Sequence, residues 1–383
     1  MRAVHPAAFI GATVVSMSML AGCGGDDDDP APQAAAAGPA TEINATDTAC
    51  EVAKKDFTAG TTKFQITNNG TKVTEVYVYA PGDKVVTERE NIRPGTSAEL
   101  TVQLSAGTYQ IACKPGMAGD GIRQDITVTG QADHAADPRL AKALADYKAY
   151  INAQVADTIA KTKRFVAAVK AGDTAKAKAL YAPSRVGWER IEPVAESFGD
   201  LDPRVDAREA DLEAGDTWTG WHRIEKALWE TKSLDGQDRY ADQLMRDLAE
   251  LETRVAAQTL DPPITPASMA NGAKELLDEV ATGKVTGEEE AFSHTDLVDF
   301  KANVDGAQKV YELLAPVVRE KDAALAQTLE QEFQDVQNLL TKYEKGDGYV
   351  SYDTVGKAER KELSDAVNAL GEPLSKLAGV VTR

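Results

Sequence analysis

Asp125-Ile126-Thr127-Val128-Thr129-Gly130-Gln131-Ala132-Asp133-His134-Ala135-Ala136-Asp137-Pro138-Arg139-Leu140-Ala141-Lys142-Ala143-Leu144-Ala145-Asp146-Tyr147 is the stretch on which the chain changes period. Up to Thr129, apolar and polar residues alternate, as in a strand with one buried face. From Leu140 onward the apolar positions are Leu140, Leu144, Tyr147, Ile151, Val155 and Ile159. Steps of three and four place them along one side of a helix. Residues 131–138 between the two patterns are short and polar, as in a linker. The fold expected is multidomain: a β-sandwich over 41–130, followed by an all-α helical-bundle domain over 139–383.

Working back from the switch, 62–67, 75–79, 99–104 and 107–111 also alternate. Asn68-Asn69-Gly70, Pro81-Gly82-Asp83, Pro94-Gly95 and Ala106-Gly107 punctuate them as turns. Short strands at this spacing indicate a small sandwich. Working forward, helical stripes run through 174–198, 217–230, 238–259, 266–282, 295–318, 321–345 and 353–380. Asp173, Asp216 and Thr265 are the expected N-caps, and Asp261-Pro262-Pro263 ends one helix. The 245 residues from 139 to 383 suit two packed bundles.

The 383 residues carry 61 acidic and 42 basic side chains, a formal net charge of −19. That excess excludes nucleic acid as a partner, because a phosphate backbone demands clustered Lys and Arg. At 43% hydrophobic and 27% charged, the composition is that of a globular chain. Residues 1–22 read as a secretory signal: Arg2, then a short apolar run, then Leu20-Ala21-Gly22-Cys23. That ending resembles the bacterial lipobox, which implies lipidation at Cys23 and an extracytoplasmic, membrane-anchored protein. Residues 23–40 follow as a tether, with Asp26-Asp27-Asp28-Asp29 amid Gly, Ala and Pro.

Two cysteines remain, Cys50 and Cys113. Asn69-Gly70, Arg93-Pro94-Gly95, Ala106-Gly107-Thr108-Tyr109 and the late Cys113 resemble the cupredoxin-like fold. A blue-copper centre needs two His and a Cys. Residues 41–130 contain no histidine, so no electron-transfer copper site is expected. Two readings stand. One is a Cys50–Cys113 disulfide, natural in an oxidising compartment. The other is a modified copper or iron site from Cys50, Glu75, Cys113 and Met117.

The helical half holds the most specific run, Thr217-Trp218-Thr219-Gly220-Trp221-His222-Arg223-Ile224-Glu225-Lys226-Ala227-Leu228-Trp229. His222 and Glu225, three apart, share a helical face and can grip one cation. Three tryptophans around them restrict water. Taken alone, such a pair reads more simply as a buried, hydrogen-bonded histidine with a surface glutamate. A second run, Trp188-Glu189-Arg190-Ile191-Glu192-Pro193, repeats the spacing in Glu189 and Glu192. The loop Phe198-Gly199-Asp200-Leu201-Asp202-Pro203-Arg204-Val205-Asp206 adds Asp206. If the helices are antiparallel neighbours, these acids converge on His222. A third run, Gly287-Glu288-Glu289-Glu290-Ala291-Phe292-Ser293-His294-Thr295-Asp296-Leu297, either contributes an acid or is a solvated helix start. Carboxylates with one imidazole suit iron, manganese, zinc or calcium.

Together, His222-Arg223-Ile224-Glu225, Glu189-Arg190-Ile191-Glu192-Pro193, Phe198-Gly199-Asp200-Leu201-Asp202 and Ser293-His294-Thr295-Asp296-Leu297 resemble the imelysin-like, peptidase-related helical domain. With a cupredoxin-like domain in front, the chain is similar to the EfeO type of iron-uptake component. The resemblance implies a metal site of Glu189, Glu192, Asp206, His222 and Glu225, with Glu288 or Glu289 added. It also implies metal positions at Cys50, Glu75 and Cys113. The expected ion is iron, Fe2+ or Fe3+, with copper or zinc as alternatives. The expected partners are a membrane iron permease and a peroxidase component of the same uptake system. The alternative reading is a metal-dependent peptidase. Against it, His222 lacks the second histidine and separate base of an H-E-x-x-H site.

Overall fold

The computed structural model describes residues 39–131, 137–212 and 215–383. The signal segment, Cys23 and the tether up to residue 38 lie outside the described residues, as do 132–136 of the linker.

Nine strands form the first half: β1 (Thr41–Ala45), β2 (Cys50–Val52), β3 (Asp56–Thr58), β4 (Gly60–Asn68), β5 (Thr74–Ala80), β6 (Lys84–Ile92), β7 (Ser97–Leu104), β8 (Gly107–Pro115) and β9 (Ile122–Thr129). They pair in two sheets, ordered β2-β1-β4-β7 and β3-β9-β8-β5-β6. Pairings are antiparallel except β1 with β4 and β3 with β9. Ile43, Phe64, Ile66, Val76, Val78, Leu100, Ile111 and Val128 fill the space between the sheets. All five alternating segments are strands. The unread ones have a physical explanation: β1–β3 run only three to five residues. In β6, Thr87, Glu88, Arg89 and Glu90 interrupt the alternation, because this strand meets the helical half.

That half contains α1 (Pro138–Lys170), α2 (Thr174–Glu189), α3 (Leu201–Asp206), α4 (Gly220–Lys226), α5 (Asp238–Ala256), α6 (Pro266–Thr282), α7 (Asp296–Lys321), α8 (Ala323–Thr341), α9 (Lys357–Leu374) and α10 (Leu377–Val381). α1, α2 and α5 form one group and α6 to α9 another; α7 packs across onto α1 and α2. One continuous apolar core joins the groups, from Ala143 to Val381. Asp173 and Thr265 cap α2 and α6, accepting from the Lys176 and Ser268 amides at 3.0 Å each. Asp216 does not cap: α4 begins later, with Thr219 at the N-cap position. The stripe at 174–198 also divides. After Glu189 the chain tightens into a 3-10 turn, Glu192–Phe198, where Pro193 lacks the amide an α-helix would use.

The β half sits on α6 and the 192–198 turn through β6 and β7. Asn271 donates to Thr87 Oγ1 at 3.0 Å and to the Thr101 carbonyl at 2.8 Å, and Arg89 pairs with Asp278 at 3.5 Å. Among the described residues, no helix is long and apolar enough to cross a membrane.

Candidate metal centre

The β half offers no thiolate. Cys50 on β2 and Cys113 on β8 form a disulfide that ties one sheet to the other. The modified site of Cys50, Glu75 and Cys113 is therefore corrected, for two reasons. Sulfurs bonded to each other carry no thiolate to offer a metal. Moreover, Val76 opposes Cys113 while Glu75 opposes Lys114. Neighbouring strand residues point to opposite faces, so Glu75 stands outside the core that holds the disulfide. Burial pushes its carboxyl up, against a hydrogen bond from Tyr77 and the charge of Lys114.

The helical half assembles a centre from α2, α3, α4 and the segment before α7. Gly220 makes the α3–α4 approach possible: its φ is +83°, and a Cβ there would lie 2.2 Å from the Val205 carbonyl oxygen. Only glycine tolerates both. Gly306 on α7 does the same against α2, where a Cβ would meet the Arg190 carbonyl oxygen at 2.4 Å. Trp188 and Trp221 are fully buried and adjacent, with ring centroids 6.0 Å apart, and wall the centre from water.

His222 is 1% exposed. Its Nδ1 lies 3.0 Å from Glu225 Oε2 and 3.3 Å from the Tyr181 hydroxyl. Its Nε2 has no hydrogen-bond partner among the described residues. That nitrogen faces Asp206 Oδ1 at 3.5 Å and Glu289 Oε1 at 3.7 Å. Asp206, His222 and Glu289 offer ligand atoms all within 4.8 Å of one another; His222, Glu225 and Glu290 form a second such group. Glu225 is itself fixed, accepting from the Phe292 and Ser293 amides at 3.0 and 2.7 Å. A carboxylate on one ring nitrogen commonly orients a histidine whose other nitrogen binds metal. Glu225 thus stands at Nδ1, on the other side of the ring from Asp206 and Glu289, and the i, i+3 pair shares only the second ligand group.

Charge around the ring is dense. Arg185, fully buried, contacts Glu189, Asp206, Glu289 at 3.2 Å, Glu290 at 2.9 Å and Asp299 at 3.6 Å. Burial and Arg185 push the imidazole toward neutrality, but Asp206, Glu225 and Glu289 outweigh them and raise its pKa above the ordinary histidine value. Burial opposes ionisation of Asp206, yet Arg185 and His222 prevail and keep it far below the usual carboxylate range. Lys284 and His222 do the same for Glu289. Burial pushes Glu290 up to about 8. Neither oxygen of Asp299 has a hydrogen-bond partner among the described residues, and burial raises its carboxyl well above normal. A pocket of about 240 Å³ reaches His222 from solvent, lined also by Arg208, Glu225, Glu288 and Glu289.

Of the expected acids, Asp206 and Glu289 face Nε2 and Glu225 faces Nδ1. Glu288 stays at the mouth, 49% exposed and 3.6 Å from Arg208. Glu189 and Glu192 belong to neither ligand group; both bond Lys284 and Asn303. The sequence reading missed Tyr181, Arg185, Lys284, Glu290, Asp299 and Asn303. One signal was present: Asp296, Asp299 and Asn303 make a polar stripe on the buried face of α7, among Leu297, Phe300, Val304 and Ala307.

Residues 143–377 match the imelysin family, and residues 13–128 match the cupredoxin-like domain. The iron uptake system component EfeO of Escherichia coli K12 is 40% identical over 348 residues, covering 90% of this chain and 92% of its own. EfeO of Shigella flexneri gives the same values. A solved structure, an iron-regulated protein A precursor from Parabacteroides distasonis, covers 66% of this chain and 97% of its own at 16% identity, with a TM-score of 0.48. With both domains matched and that identity sustained along nearly the whole chain, the protein belongs to the EfeO-type family, a cupredoxin-like domain followed by an imelysin domain.

Proposed function

We propose that this protein captures iron outside the cytoplasmic membrane and delivers it to a membrane permease, held near that partner by lipid on Cys23. The observation that carries the reading is His222 Nε2: a buried ring nitrogen without a hydrogen-bond partner among the described residues, facing Asp206 and Glu289 at the end of a solvent-reached pocket. A buried polar atom left in this state is unfavourable unless something completes it. Two carboxylates and one imidazole suit a borderline cation such as ferrous iron. The matched relatives are named as iron uptake components, which supports iron over zinc or copper. Three protein ligands leave coordination positions free, as capture and release both require. A tether raises the concentration of carrier at its partner without any new contact.

The test is calorimetry of the metal-free protein with ferrous iron under anaerobic conditions and with ferric citrate. His222→Ala with Glu289→Gln is expected to weaken binding at least 100-fold; unchanged affinity would sink the site. Peptidase activity has weaker support. The four histidines include no H-E-x-x-H pair, and a donor set rich in carboxylates lowers the Lewis acidity that activates water. Incubation with casein and zinc is expected to leave the casein intact, and metal-dependent cleavage would revive the peptidase.

A further inference from the structure

Lys284 sits just after α6, in the short turn Lys284–Thr286, yet its side chain is 2% exposed. Its ammonium bonds both Glu192 oxygens at 2.9 Å and Glu189 Oε2 at 3.3 Å, and lies 3.7 Å from Glu289 Oε1. Asn303 holds the first two acids from the other side, donating to Glu189 Oε2 at 3.0 Å and Glu192 Oε2 at 2.6 Å. Glu289 Oε1 is also the atom that faces His222 Nε2. One carboxylate oxygen thus stands between the candidate cation position and an ammonium belonging to the chain itself.

We propose that Lys284 is a tethered competitor: its ammonium neutralises Glu189, Glu192 and Glu289 in the empty protein, and an arriving cation displaces it. This inference rests on the cation-capture reading above. Lys284 suits the role better than Arg185. The guanidinium is gripped by five carboxylates from the middle of α2, whereas a lysine is a compact charge on a flexible stem. Lys284 also has somewhere to go. Glu279, 41% exposed and 3.8 Å from the pocket-lining Arg208, already feels its charge. A competitor carried by the chain keeps Glu189, Glu192 and Glu289 from repelling one another when no cargo is present. It also weakens retention, so the cargo can leave for a downstream acceptor.

Two measurements with ferrous iron test this. In the wild-type protein, Lys284 is expected to resist amine acetylation while empty and to be labelled, by peptide mass spectrometry, once metal saturates the site. Lys284→Met is expected to bind at least tenfold more tightly, mainly through slower dissociation. If Lys284 stays protected in the saturated wild-type protein, the proposal is wrong, and that result stands even if the variant fails to fold. A folded Lys284→Met with unchanged or weaker affinity overturns it too. Loss of all binding in wild type would instead overturn the capture reading.

Discussion

The two halves treat buried polar groups in opposite ways. In the sandwich, the pair with metal-binding potential is closed: Cys50 and Cys113 bond each other, and the nearby acid Glu75 lies on the other side of its sheet. In the helical half, the buried cluster is left incomplete: among the described residues, His222 Nε2 and the Asp299 carboxylate make ion-pair contacts but no hydrogen bond, with two buried cations among the carboxylates. A satisfied interior mainly stabilises. An unsatisfied one, reached by solvent, is where a ligand can add free energy.

The largest break in this contrast is expected from Gly220→Ala. A positive φ and a 2.2 Å clash together should cost roughly 3–5 kcal/mol. Because the clash falls on the backbone before Asp206, metal binding should fall with stability; calorimetry of a variant that binds normally would show that the α3–α4 approach does not set the site. Next is removal of the disulfide. Its 63-residue separation makes it worth about 4 kcal/mol in the chain-entropy view. Cys50→Ala with Cys113→Ala should lower the denaturation midpoint of the sandwich yet leave iron affinity intact. A parallel loss of affinity would mean that the sandwich takes part in binding.

A smaller effect concerns the surface where the halves meet. Burial, together with Glu75, Asp278 and Glu196, pushes Glu90 up to about 7 against the pull of Lys114. A folded-state value above the unfolded one means that ionisation disfavours the fold. The penalty is absent below about pH 4.5, grows as pH rises through 7 and is complete above it. Glu90→Gln should therefore stabilise by roughly 1–2 kcal/mol at pH 8, after allowance for partial exposure, and much less at pH 5. Denaturation at the two pH values checks the sign. The smallest effect is expected for Glu288→Gln. An acid half exposed at the mouth should change affinity less than threefold and act mainly on association rate, read by stopped-flow at low and high salt.

Legibility in the sequence followed the reach of each interaction. The five longest alternating segments and every long helix were readable, because period is a local property of the chain. β6 was not, since Glu88 and Glu90 answer to α6 and the 192–198 turn rather than to strand alternation. His222, Asp206 and Glu289 were recognisable as candidate site residues from the sequence. Their roles were not. Glu189 and Glu192 looked equivalent to Asp206, yet they clamp Lys284, a residue 92 positions beyond Glu192.

The order of domains, the helical faces and the acids available to a cation were therefore determined by sequence alone, because they depend on neighbours within a turn or two. Tertiary structure decided which nitrogen of His222 stays open, which carboxylates face it and which are neutralised by Arg185 and Lys284. It also decided that Cys50 and Cys113 meet as a disulfide. These outcomes depend on charges and sulfurs brought together from distant parts of the chain, where a few ångströms separate a candidate metal ligand from the partner of an internal cation.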